Sequence, residues 1–202
     1  MQLIILSGLS GSGKSVALHT LEDMGFYCID NLPFFLLQDL VLGLHETLDV
    51  SFDKTAVGID ARSNPEALRQ LPDLARAAQD RGVDCRVLFL ETQSETLIRR
   101  YSETRRRHPL TNADRSLREA IQLEQELLEP VRKRADLVID TTRTNVHELR
   151  DQVRGVLARQ RQQKRASRLD ATANQQLAAA WQTAVAQLRM NTPAFASLYW
   201  RW

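Results

Sequence analysis

Gly8-Leu9-Ser10-Gly11-Ser12-Gly13-Lys14-Ser15 gathers the residue types that hold phosphate, at the spacing G-x-x-x-x-G-K-[ST] and with every fixed position satisfied. The glycines let the backbone curl tightly, so that successive N–H groups approach phosphate oxygens without interference from Cβ atoms. The positive end of a following helix adds to the stabilisation of the anion. Lys14 can reach the β- and γ-phosphates, and the Ser15 hydroxyl can ligate Mg²⁺. The competing reading is a flexible Gly/Ser turn that fits by chance, and the flanks argue against it. The loop follows Leu3-Ile4-Ile5-Leu6, a short β-branched run that reads as a buried strand. It opens onto Val16 to Met24, which reads as a helix stopped by Gly25. The expectation is a nucleoside triphosphate held by Gly8, Leu9, Ser10, Gly11, Ser12, Gly13, Lys14 and Ser15, with Lys14 also a catalytic candidate.

Three carboxylates end apolar runs: Asp30, Asp60 and Asp140. In an open α/β sheet, ligands lie beyond the carboxyl ends of the strands, which puts all three at the edge of the phosphate loop. Asp60 can hold Mg²⁺ directly or through water, or it can cap the turn that follows. Asp30 can orient or deprotonate an acceptor hydroxyl, or cap the helix after Pro33, and both readings stay open. Arg62 can meet phosphate or solvent. The run Arg99 to Pro109 is strongly basic, and Arg105, Arg106 and Arg107 can clamp phosphate from a lid, lie on an RNA backbone, or form a solvated face. His108 reads as structural. Asp140-Thr141-Thr142 can contact a base. No guanine-reading N-K-x-D motif follows it, which weakens a GTPase-switch reading. A second basic stretch, Arg150 to Arg168, reads as a solvated helix end.

The elements that must position these residues alternate from Leu3 to about Val156. Strands are expected near 3–7, 26–30, 55–60, 84–90 and 136–140, with helices at 34–47, 65–81, 94–103, 115–133 and 144–160. The implied fold class is α/β, P-loop NTPase/kinase-like, a mostly parallel five-stranded sheet with helices on both faces plus a helical C-terminal extension. The expected division is a nucleotide-binding domain over 1–158 and an extension over 159–202, with an Ala/Gln-rich helical stretch and an aromatic tail. The 202 residues, 43% of them hydrophobic, suffice for such a core, and a net charge of +2 argues for no particular partner. The two cysteines, Cys28 and Cys85, lie in apolar runs without metal-ligand spacing and read as buried thiols. No run approaches a membrane span and the first residues lack a basic leader, so the expected setting is reducing and cytoplasmic.

The blocks Gly8 to Leu18 and Leu21 to Pro33 resemble the RapZ family of bacterial RNase adapter proteins. The likeness continues through Leu97 to Arg106 with His108-Pro109-Leu110, through Leu128-Glu129-Pro130, and through Arg134 to Thr141, covering about residues 1–158. The resemblance implies binding of both ATP and GTP with Mg²⁺. ATP falls on Gly8–Ser15, and GTP on the family's Asp-x-Arg-x segment, matched here by Asp60-Ala61-Arg62-Ser63; Ser15 and Asp60 are the implied metal residues. It also implies at most weak hydrolysis, a small regulatory RNA and an endoribonuclease as partners, and a link to amino-sugar metabolism. Assembly as a homo-oligomer away from membranes is expected. Nothing after about Arg159 resembles the C-terminal domain into which the family continues. The rival from another class is a small-metabolite kinase with Asp30 at the acceptor and Arg105–Arg107 as lid.

Overall fold

Leu3, Ile4, Ile5 and Leu6 have no solvent exposure, because they form the middle of a central strand covered on both faces. Burying each such side chain contributes about 1.5–3 kcal/mol. The computed structural model describes residues 1–46, 52–62 and 65–190. It shows β1 (Gln2–Gly8), α1 (Lys14–Asp23), β2 (Tyr27–Ile29), α2 (Phe34–Glu46), β3 (Lys54–Gly58), α3 (Pro65–Asp80), β4 (Asp84–Glu91), α4 (Ser94–Thr104), α5 (Leu117–Lys133), β5 (Leu137–Asp140) and α6 (Val146–Met190). The five strands pair in parallel, in the order β2-β3-β1-β4-β5. The α/β architecture is the expected one.

Alternation along β1 divides the core. Leu3 and Ile5 join Leu68, Leu71, Phe89, Ile121, Leu128 and Val131 in one cluster, to which α3 and α5 contribute. Ala17, Leu18 and Leu21 of α1 are buried as well, and α1 packs against β1, β2 and β3. The chain leaves β1 towards β2 but leaves β4 towards β5, in the opposite direction. A crevice opens outside the carboxyl ends of neighbouring strands where the order reverses in this way. The loop Leu9–Gly13 lies there.

Several boundaries differ from those expected. The first helix begins at Lys14 rather than Val16, which places Lys14 and Ser15 in its first turn. α5 begins after a capping box, in which the Ser116 side chain accepts from the Glu119 N–H and Glu119 reaches back to the Ser116 N–H. The last helix, expected over 144–160, runs on to Met190. Between Gly155 and Met190 there is neither glycine nor proline to stop it, and a change from apolar to polar composition is not a stop signal. The chain divides into two units, Met1–Arg154 and Gly155–Trp202. Within the second, Leu177 and Trp181 are exposed on the helix. The aromatic tail from Pro193 lies outside the described residues. Among the described residues no helix is long and apolar enough to cross a membrane.

Candidate nucleotide site

The loop's shape begins with Gly8. Its φ is +143°, and a Cβ at this position would stand 2.2 Å from the Leu90 carbonyl oxygen of β4. Only glycine allows β1 and β4 to stay paired up to the point where the chain turns away. Gly11 and Gly13 also have positive φ, +87° and +105°. Gly13 precedes α1 and supplies no side-chain cap. The first N–H groups of a helix have no intrahelical partner, so those of Lys14, Ser15 and Val16 are suited to an anion.

Lys14 folds back over the loop and donates from Nζ to the carbonyls of Gly8 at 2.7 Å and Leu9 at 3.1 Å. Burial pulls its pKa below the ordinary lysine value, against the charges of Glu124, Asp60 and Asp30, which push it up. The Ser15 side chain is exposed. Together they line a cleft of about 540 Å³ whose wall also includes Ser10, Gly11, Gly13, Asp60, Arg62, Arg100, Tyr101, Arg106 and Arg107. Burial pushes the Tyr101 phenol up to about 12.

The expected site residues other than Ser63 fall among the described residues. Asp60 is almost buried, and both its oxygens accept from Arg62 Nε, at 3.1 and 2.9 Å, while Oδ2 also accepts from Nη2 at 2.7 Å. Burial pushes the Asp60 carboxyl up, but the Arg62 hydrogen bonds outweigh it and the net shift is downward. Arg62 reaches on to Asn31 Oδ1 at 2.7 Å, joining the ends of β2 and β3. Ala61 is buried, and Ser63 lies outside the described residues. Asp30 is exposed, close enough to act on the charges of Lys14 and Arg62 but not part of the cleft wall. Of the three expected arginines, Arg106 and Arg107 line the cleft, whereas Arg105 ends α4 in a left-handed conformation with φ +52°.

Asp140 ends β5 at the expected edge of the sheet but does not line the cleft of Lys14 and Asp60. It accepts from the Thr142 N–H at 2.8 Å and lines a separate cleft, of about 470 Å³, with Glu91, Gln93 and Arg132. Thr141 turns inward instead of toward a base. Its Oγ1 donates to the Ser12 carbonyl at 2.8 Å and it is buried.

Sequence reasoning passed over two residues that shape the loop. Arg100 donates to the Gly11 carbonyl at 3.0 Å and the Thr141 carbonyl at 2.7 Å, bracing the loop against the end of β5. Glu124, fully buried, accepts from the Ser10 N–H at 2.8 Å and the Ser10 hydroxyl at 2.6 Å. An ionised carboxylate in such a place costs several kcal/mol unless hydrogen bonds offset it. The available signal was its position: Ala120, Ile121, Glu124, Leu128 and Val131 share the buried face of α5.

A glycine loop at the switch point of a parallel sheet, opening on lysine and arginine, defines the P-loop nucleotide-binding class, with a kinase-like α/β fold. Within that class the chain belongs to the RapZ-like family: residues 1–161 match the RapZ-like N-terminal domain. It is 56% identical over 154 residues to a nucleotide-binding protein of Methylococcus capsulatus, covering 76% of this chain and 52% of that protein. A nucleotide-binding protein of Alkalilimnicola ehrlichii is also 56% identical over 154 residues, covering 76% of this chain and 54% of that one. The chain spans about half the length of the curated relatives it matches. In fold it is similar to the Bacillus subtilis YorR protein, solved in complex with phosphorylated GDP. The TM-score is 0.53 at 15% identity, over 79% of this chain and 98% of that one.

Proposed function

We propose that the chain is an ATP- and GTP-binding regulatory module of the RapZ type, with at most weak hydrolysis. The triphosphate lies along the loop amides and Lys14, Ser15 offers its hydroxyl to Mg²⁺, and Arg106 and Arg107 face the phosphates. One observation carries the preference for binding over turnover. Asp60, the carboxylate beside the loop, gives both oxygens to Arg62. A committed carboxylate is poorly placed to take a proton or position water. It reaches Mg²⁺ through water or after Arg62 lets go, so Ser15 fits the metal more directly.

The proposal extends to a cytoplasmic setting, a homo-oligomer, and a small regulatory RNA and endoribonuclease as partners in the control of amino-sugar metabolism. The exposed Arg105–Arg107 run suits an RNA backbone. The kinase reading keeps one observation in its favour: Asp30 lies within electrostatic reach of Lys14.

Titration with labelled ATP and GTP, followed by incubation with a metabolite extract, separates the two. The regulatory reading expects binding without a phosphorylated metabolite, and affinity lost by about a hundredfold or more in Lys14→Ala, since charge-assisted contacts to phosphate are strong. Rapid acceptor-dependent transfer, abolished in Asp30→Asn, would establish the kinase instead. Unchanged affinity in Lys14→Ala would remove the nucleotide site itself.

A further inference from the structure

Glu124 has a third partner, and it connects the loop to the segment after α4, which also lines the cleft. His108 Nε2 lies 3.1 Å from Glu124 Oε2, and both side chains are fully buried. The other ring nitrogen, Nδ1, accepts from the Leu110 N–H at 3.2 Å. With Nδ1 accepting from a backbone N–H, Nε2 is the ring nitrogen that donates to Glu124. Three donors therefore converge on Glu124: the N–H and hydroxyl of Ser10 from the loop, and His108 from the segment after α4.

That segment holds the cleft-lining arginines, and Arg107 is the direct neighbour of His108. His108 also fixes its local fold. Its carbonyl accepts from Thr111 N–H at 3.0 Å and Thr111 Oγ1 at 2.7 Å, and its ring packs against Tyr101 at 5.3 Å. Tyr101 in turn borders Gly11: a Cβ there would meet its ring at 3.3 Å. A buried carboxylate with all its donors supplied behaves as a unit, since losing one donor exposes the others to an unmet charge.

We propose that Glu124 is a positioning residue that latches the Arg106–Arg107 segment to the phosphate loop, so that order in the segment and occupancy of the loop are coupled. The inference rests on reading the loop as a nucleotide site, and it extends that reading to how the loop and the segment communicate. Coupling of this kind is reciprocal: whatever loosens the segment weakens the nucleotide, and the nucleotide steadies the segment.

Hydrogen exchange of the full chain tests it, without nucleotide and with ATP or GTP, in the wild type, His108→Leu, Glu124→Gln and Glu124→Leu. In Glu124→Gln the amide oxygen can accept from Ser10 N–H and His108, while its NH₂ donates to the rotated Ser10 hydroxyl. That variant should keep the wild-type exchange pattern in residues 8–13 and 105–111. Glu124→Leu should speed exchange in both segments. His108→Leu, which removes only the donor from the segment, should also speed exchange in residues 8–13 and weaken nucleotide binding about tenfold. Should His108→Leu loosen residues 105–111 while the loop exchanges as in the wild type, the latch is overturned. If Glu124→Leu does not fold, the His108→Leu comparison decides alone. A wild type that binds neither nucleotide would end the functional reading, while exchange in the nucleotide-free chain still judges the latch.

Discussion

Replacing Gly8 by alanine tests whether a close backbone approach is what builds the phosphate loop. The new Cβ would stand 2.2 Å from the Leu90 oxygen and 2.8 Å from its nitrogen, inside the 3.0 Å below which real Cβ contacts are essentially never found. The obstructing atoms are backbone, so no side chain can swing away, and β1 and β4 must part by most of an ångström. Holding alanine at φ +143° costs about 1–3 kcal/mol. Forced overpacking adds about 1–3 kcal/mol. Loss of the adjoining Leu9 N–H to Leu90 O bond, 3.1 Å long, removes about 1 kcal/mol more. The sum is about 3–7 kcal/mol, against a total stability for domains of about 5–15 kcal/mol. Gly82→Ala supplies the control, because Gly82 has φ +83° with nothing within 4 Å of a Cβ. It carries conformational strain alone, about 1–2 kcal/mol. Urea titrations compared at equal slope give both values. If Gly8→Ala costs no more than Gly82→Ala, the contact with Leu90 does not explain the glycine, and the account of the loop fails.

Arg100→Met removes charged donors from the Gly11 and Thr141 carbonyls and should weaken nucleotide binding by about tenfold or more, measured by calorimetry. Arg100→Lys should not restore it, because an ammonium cannot reproduce the planar fork; full recovery would argue that charge alone matters. For Asp60, burial raises and the Arg62 hydrogen bonds lower the carboxyl pKa, with a net depression on folding. Its contribution to stability is therefore present above the unfolded value of about 3.9 and lost as pH falls through the lower folded value. Asp60→Asn should flatten that part of the acid-denaturation curve, and an identical acid limb would contradict the pairing. Burial pushes Cys28 up to about 11 and Cys85 to about 12, so native thiols at pH 8 should alkylate far more slowly than those of the urea-unfolded chain. Fast native labelling would place them differently.

The part of the site legible in the sequence is the part built by neighbours along the chain. Gly8 to Ser15, the strand before it and the helix after it need only local spacing to be read, and the order of strands and helices follows from hydrophobic runs. Glu124 and Ser10 are 114 positions apart, and a single carboxylate on the apolar stripe of α5 signals an unusual burial without naming its partner. Arg100 looked like one of a run of arginines, because charge clusters do not show which member is turned inward. Asp140 and Thr141 are adjacent, yet only the threonine braces the loop, through the Ser12 carbonyl, while Asp140 holds the Thr142 N–H; adjacency along the chain does not show which of two neighbours turns to the loop. The helical character of the extension was legible from its Ala/Gln-rich composition, but its continuity with α6 was not, since the polar stretch from Gln160 to Asp170 gives no apolar period to follow.

The loop's carbonyls and amides are held from outside at three successive residues: Ser10 by Glu124, Gly11 by Arg100 and Ser12 by Thr141. A binding loop usually loses conformational freedom when its ligand arrives, and that loss subtracts from affinity. Here the protein has already met that entropic cost during folding. The association should therefore show little entropic penalty from the loop. Substitutions at these three braces should appear in calorimetry as a less favourable binding entropy, even though none of the three side chains is assigned a contact with the ligand.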